Sequence, residues 1–118
     1  MNFQIKDKFE ITLRLGDDNY YYLVALFAAY HYHTVHSQNG CSPSDIIELA
    51  AEWDVGKIAE LSRDKVSALM EEMRELNVFR LSGQGRYSFA RHNFCQMMGS
   101  KDQLEAEIFE YAEQEANA

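Results

Sequence analysis

From Lys8 to Leu15 apolar and polar residues alternate without a break, with Phe9, Ile11, Leu13 and Leu15 on one side and Lys8, Glu10, Thr12 and Arg14 on the other. A period of two is the pattern of a half-buried β-strand, so this stretch predicts one. Gly16-Asp17-Asp18-Asn19 breaks it and offers a helix cap, and the period then changes. Leu23, Leu26, Phe27 and Tyr30 recur at helical spacing and carry a first helix to the neighbourhood of His36. Asn39-Gly40 ends that helix. Ser42-Pro43-Ser44-Asp45 opens a second, with a cap residue, proline at the first helical position and an acid three residues after the cap. Its narrow apolar face, Ile46, Ile47, Leu49, Ala50 and Trp53, stops at Asp54-Val55-Gly56, and a short apolar return follows through Ile58 and Leu61.

Ser62 caps a third helix, in which Val66, Leu69, Met70, Met73 and Leu76 form a core-facing stripe and Asn77 is a left-handed stop. Val78 to Leu81 and Arg86 to Phe89 read as two short strands joined through Ser82-Gly83-Gln84-Gly85, a β-hairpin. A short helical turn from Asn93 to Met98 stops at Gly99, and the capping pattern from Ser100 to Gln103 opens a C-terminal helix, 101–118, with Leu104, Ile108 and Tyr111 inward and an acidic outer face. Residues 1–7 are expected to be loosely ordered. The order of elements predicts a mainly α fold with a small β component. It is that of a winged helix-turn-helix with an added N-terminal strand, expected beside the hairpin, and an added C-terminal helix, as a single domain over 1–118.

With 118 residues, 47% of them hydrophobic, the chain fits one domain around one core. The longest apolar run, Tyr20 to Tyr32, falls short of the roughly 20 residues that span a bilayer, and the N-terminus has no apolar signal core. A cytoplasmic protein is expected. Cys41 and Cys95 lack a CxxC spacing and read as two free thiols in a reducing compartment. Eleven basic against nineteen acidic side chains leave a net charge of −8, which opposes general attraction to nucleic acid or anionic membrane. Any DNA contact would need a local basic patch.

The third helix does not supply it: Arg63, Lys65 and Arg74 stand against Asp64, Glu71, Glu72 and Glu75. The hairpin and its exit carry Arg80, Arg86, Arg91 and His92 with no acid from Val78 to Lys101. Such a cluster grips phosphates or an acidic partner surface, or else it pairs with the acidic C-terminal helix of its own chain. Arg63 and Lys65 are secondary candidate contacts. Tyr20, Tyr21, Tyr22, Tyr30 and Tyr32 cover more than one face of the first helix, so they fill the core or spill into an association surface, either a homodimer contact or the seat of another domain. Trp53, Met70 and Met73 read as core packing.

His31, His33 and His36 with Cys41 invite a metal, but residues 31 and 33 of a helix point about 200° apart. Only His33 and His36 share a face, which leaves too few ligands, and no metal is expected. Cys41 with His36 and Cys95 with His92 are the two cysteine–histidine pairings that proximity suggests, and both read as inert thiols beside histidines. No carboxylate pair, Ser-His-Asp set or HExxH helix has a local frame, so neither enzyme activity nor a cofactor is expected.

The stretch Met70-Glu71-Glu72-Met73-Arg74-Glu75-Leu76-Asn77-Val78-Phe79-Arg80, followed by Gly85-Arg86-Tyr87-Ser88-Phe89-Ala90-Arg91-His92-Asn93-Phe94 and Met97-Met98-Gly99-Ser100, resembles the C-terminal winged-helix domain of large bacterial P-loop ATPases of the AAA/STAND type. The resemblance spans Phe9 to Phe109. In that family the helix runs into leucine-glycine-valine-leucine, the hairpin exits into arginine-serine-proline-asparagine, and leucine-leucine-glycine precedes an acidic helix. Here Asn77 replaces the glycine, and Arg91-His92-Asn93 stands for the second turn without its proline. The phosphate-cradling GxxxxGK[ST] loop is absent, so nothing catalytic carries over. The resemblance implies a protein-interaction or regulatory module whose ATPase lies elsewhere in the same chain or on a partner. A DNA-binding regulator touching DNA through the hairpin is the alternative.

Overall fold

Ile5–Leu13 is a helix, α1, and not the strand that the alternation predicts. Phe9 and Leu13 lie four residues apart, so the pair fits one face of a helix as well as one face of a strand. Both are buried, whereas Ile11 is 56% exposed and Leu15 45%. A helix satisfies its own backbone, but a strand here would need a free sheet edge to pair with. The ring of Phe9 stacks on Phe94 at 4.3 Å between centroids and 17° between planes, and meets Phe89 edge-on at 6.3 Å. Of the segment 1–7, residues 5–7 form the first turn of α1, and residues 1–4 lie outside the described residues. The computed structural model describes residues 5–16, 18–35 and 40–117.

Six further helices and one hairpin follow among the described residues: α2 (Tyr20–Val35), α3 (Pro43–Glu52), α4 (Gly56–Ala59), α5 (Arg63–Glu75), β1 (Phe79–Leu81), β2 (Tyr87–Phe89), α6 (His92–Met98) and α7 (Lys101–Ala116). The protein is mainly helical with a small two-stranded antiparallel sheet. Local chemistry sets the boundaries. Ser42 and Ser100 each close a full capping box, and the Ser62 hydroxyl accepts the Lys65 amide. Asn77 ends α5 at φ 66°, the left-handed geometry expected of it. The core stripe of α5 stops at Met73, because Leu76 is 40% exposed.

Helix α2 is the axis of the molecule. Its eight consecutive residues from Leu23 to Tyr30 are all buried, and α1, α3, α4, α5, α6 and α7 all pack against it. A helix apolar all round is stable only with neighbours all round, which is what its aromatic sequence implies. Trp53 meets Tyr30 edge-on at 5.7 Å, and Met70 and Met73 are fully buried. Among the described residues no helix is long and apolar enough to cross a membrane.

The tyrosines of α2 join the core to the acidic helices through their phenols. Tyr21 donates to Glu72 of α5 at 2.6 Å, Tyr22 to Glu107 of α7, and Tyr30 to Glu105 of α7 at 3.1 Å. Tyr87 of β2 donates to Glu71 of α5. The hydrogen bond to Glu72 pushes Tyr21 up to about 12, and burial followed by the bond to Glu71 does the same for Tyr87. Burial, then the carboxylate partner, raises Tyr22 and Tyr30 as well. A phenol whose folded pKa is raised stabilises fully below the unfolded value near 10 and loses that contribution as pH climbs through the folded value. Alkaline unfolding is therefore expected to begin above about pH 10, with tyrosinate absorbance rising together with loss of helical circular dichroism. Tyr22→Phe should shallow that pH dependence. Full tyrosine ionisation with helix content intact would contradict it.

Candidate interaction site at the hairpin root

The hairpin sits on the body through its own aromatic face. Phe79 pairs with Phe89, Arg80 with Ser88 and Leu81 with Tyr87. The rings of Phe79, Tyr87 and Phe89 are buried against one another, with Phe79 centred 6.2 Å from Tyr87 and 5.3 Å from Phe89. On the other side of β2, Cys41 exchanges both backbone hydrogen bonds with Tyr87, at 2.8 Å each, as an isolated antiparallel bridge. The sheet edge expected for the N-terminal segment is taken by this residue between α2 and α3.

Asp45, the third residue of α3, gathers the polar groups at this junction. Its carboxylate accepts the Ser42 amide at 2.9 Å and lies 3.4 Å from the Arg86 guanidinium and 3.8 Å from Nε2 of His31. Arg86 also donates to the Gly40 carbonyl at 3.1 Å. His31 is buried, and burial, opposed by Asp45, lowers its pKa below the ordinary histidine value. A cavity of about 290 Å³ opens beside this cluster, with Ala28, His31, Arg80, Tyr87, Phe89 and Cys95 among its walls.

Cys41 also faces that cavity, and both thiols are free and buried. Burial pushes Cys41 up to about 12 and Cys95 up to about 11, so both stay protonated, the reverse of what an attacking thiolate requires. Among the described residues the histidine beside Cys95 is His33, whose Nε2 is 3.8 Å from the sulfur. His36 lies outside the described residues, as does the side chain of His92. Among the described residues no group of three or more His, Cys, Asp or Glu side chains could hold a metal ion.

The basic cluster of the sequence divides in space. Arg80 is exposed on β1, donates from Nε to Ser88 Oγ at 3.2 Å and lines the cavity. Arg86 is committed to Asp45 and Gly40. Arg91, exposed at the start of α6, lines a separate hollow with Lys8, Thr12 and Asn77. Among the described residues no ion pair joins these arginines to α7; the α7 carboxylates take phenols instead, and Glu115 accepts the Lys57 amide at 3.1 Å. On α5, Arg74 is held by Glu71 at 2.8 Å, and Glu71 also accepts the Tyr87 phenol. Arg63 and Lys65 are exposed in the first turn, where the Lys65 ammonium lies 5.9 Å from the centre of the Tyr20 ring.

Sequence reasoning placed Asp45 as a capping residue only and did not join it to Arg86 and His31, because nothing in a linear pattern links positions 31, 45 and 86. Comparison with family models, with curated proteins and with solved structures returns no match to this chain.

Proposed function

We propose that this chain is a non-catalytic winged helix-turn-helix module, acting in the cytoplasm, that docks on a protein partner, and that the partner is the ATPase part of a bacterial P-loop system. The bridge from Cys41 to Tyr87 carries the reading of the fold. It adds a minimal third strand between α2 and α3, so helix, strand, helix, helix and hairpin follow one another as in a winged helix, with α4 inserted in the turn. The ATPase association rests on the resemblance of residues 70–100, and the departures at Asn77 and Arg91-His92-Asn93 leave the hairpin pattern intact.

Charge favours protein over DNA. The helix that would enter a major groove, α5, carries one more acid than base, and its Arg74 is neutralised by Glu71. On the hairpin only Arg80 keeps a guanidinium outside an ion pair among the described residues, since Arg86 is paired and Arg91 stands apart. One outward cation cannot follow a phosphate backbone, but it suits a partner that offers an acceptor opposite the hairpin. The test is a fluorescence anisotropy titration of the chain with labelled duplex DNA at low and moderate salt. Binding weaker than about 10 µM even at low salt is expected. A tighter complex that weakens with salt and is lost in Arg80→Glu and Arg86→Glu would replace this reading with that of a DNA-binding regulator.

A further inference from the structure

We propose that the cavity at the hairpin root is a binding site for a small organic monocarboxylate with a flat apolar body, held by Arg80 and His31. The proposal shares Arg80 with the partner reading above, but its other contacts, His31 and the apolar part of the wall, belong to the cavity alone.

Size and lining come first. At about 290 Å³ the cavity is roughly twice the ~150 Å³ that suffices for benzene in a protein interior, so it admits a two-ring body. Its lining is about equally polar and apolar, the apolar part coming from Ala28 of α2, Phe89 and the ring of Tyr87 from β2, and Cys95 of α6. Both thiols that face it are protonated and behave as apolar surface. A lining of this mixed character suits a ligand with a flat apolar body and one polar head.

Two polar side chains reach the cavity with hydrogen-bonding capacity unspent among the described residues. His31 is 8% exposed, and among the described residues no hydrogen bond reaches its ring nitrogens. Asp45, its nearest polar neighbour, stands at 3.8 Å, outside hydrogen-bond range. A neutral imidazole facing a cavity offers one donor and one acceptor, and since no buried side-chain nitrogen or oxygen among the described residues lacks a partner, its ring nitrogens are open to that cavity. Arg80 spends Nε on Ser88, and its two terminal nitrogens have no partner among the described residues. Those nitrogens form the fork that a carboxylate fits.

The local charge selects the anion. Arg86 neutralises Asp45, and His31 is neutral near pH 7, which leaves Arg80 as the one uncompensated charge on the wall. A monoanion balances it. A phosphate dianion would leave a second negative charge facing Asp45 without a cation.

The experiment uses the full chain with 2-naphthoate as probe and 2-naphthamide as its uncharged counterpart, followed by calorimetry and by the rate of thiol labelling. Saturable 2-naphthoate binding at about 1 mM or tighter is expected, with 2-naphthamide at least about tenfold weaker. Arg80→Gln, an exposed position, should fold normally and weaken 2-naphthoate about tenfold or more. Bound 2-naphthoate should slow labelling of Cys41 and Cys95 in step with occupancy. The proposal is overturned by absence of saturation up to roughly 10 mM, by equal affinity for acid and amide, by unchanged binding in Arg80→Gln, or by inorganic phosphate competing as well as 2-naphthoate.

Discussion

Replacing Gly40 with alanine is expected to cost about 3 kcal/mol or more of folding stability and to detach Cys41 from β2. Gly40 has φ +84°, a region that costs a residue with a Cβ about 1–2 kcal/mol. The steric term is larger. A Cβ at this position would lie 2.2 Å from the Tyr87 carbonyl oxygen and 2.7 Å from its carbon, both backbone atoms of the strand that Cys41 pairs with. Relief requires the two segments to separate, which breaks the two 2.8 Å hydrogen bonds of the bridge and draws the Gly40 carbonyl away from Arg86. The measurement is urea unfolding with amide exchange. A fall in midpoint at unchanged slope, with early exchange at the Cys41 and Tyr87 amides, is expected. Two controls isolate the cause. At Gly83 an added Cβ meets nothing within 4 Å, so Gly83→Ala should lie within about 0.5 kcal/mol of the wild type. Gly85 has φ +75° and equally open surroundings, so Gly85→Ala should show the backbone cost alone, about 1 kcal/mol. If Gly40→Ala matched Gly85→Ala, the close approach between the two segments would be refuted.

Most of this architecture is legible in the linear pattern, and the failures have identifiable causes. Capping chemistry is local, so Ser42 with Asp45, Ser62 and Ser100 with Gln103 mark helix starts that the structure reproduces. The hairpin is legible for the same reason, since alternation on both sides of a glycine-bearing loop has few other outcomes. Residues 8–15 mislead because a four-residue spacing satisfies periods of both two and 3.6. Only the tertiary surroundings, with Phe94 as a stacking partner for Phe9, decide between them. Helix α2 is instructive in the opposite direction. Its excess of tyrosines left an association surface open as a reading, yet the phenols of Tyr21, Tyr22 and Tyr30 reach carboxylates on α5 and α7. The acidic face of α7, read as solvent-facing or as a partner for the hairpin arginines, is in part the acceptor side of those bonds.

The candidate site was legible as residue types and not as a place. Arg80, Arg86 and Arg91 share one acid-free stretch of sequence, but hairpin geometry separates them. Arg80 falls on the cavity, Arg86 folds back onto the α3 cap, and Arg91 passes to the side of α1. The meeting of His31, Asp45 and Arg86 depends on Cys41 pairing with Tyr87, a contact across 46 positions that no local rule predicts.

That same dependence makes the hairpin part of the cooperative core, and Phe79→Ala is expected to show it with a loss of about 3–5 kcal/mol. Phe79 is 1% exposed and touches the rings of both Tyr87 and Phe89, so truncation opens a cavity between the hairpin and α5 that its neighbours cannot close without moving. Against a typical total of about 5–15 kcal/mol for a domain, this is a third or more of the stability. Two residues further along the same strand, Leu81 is 43% exposed, and Leu81→Ala should cost less than about 1 kcal/mol. The contrast separates burial from strand propensity, because both substitutions put the same poor β-former into β1. Denaturant unfolding followed by helical circular dichroism is the decisive readout. If the hairpin were a flap hinged on an independent helical body, Phe79→Ala would leave the helical transition in place; a single transition displaced as a whole means that hairpin and helices fold as one unit.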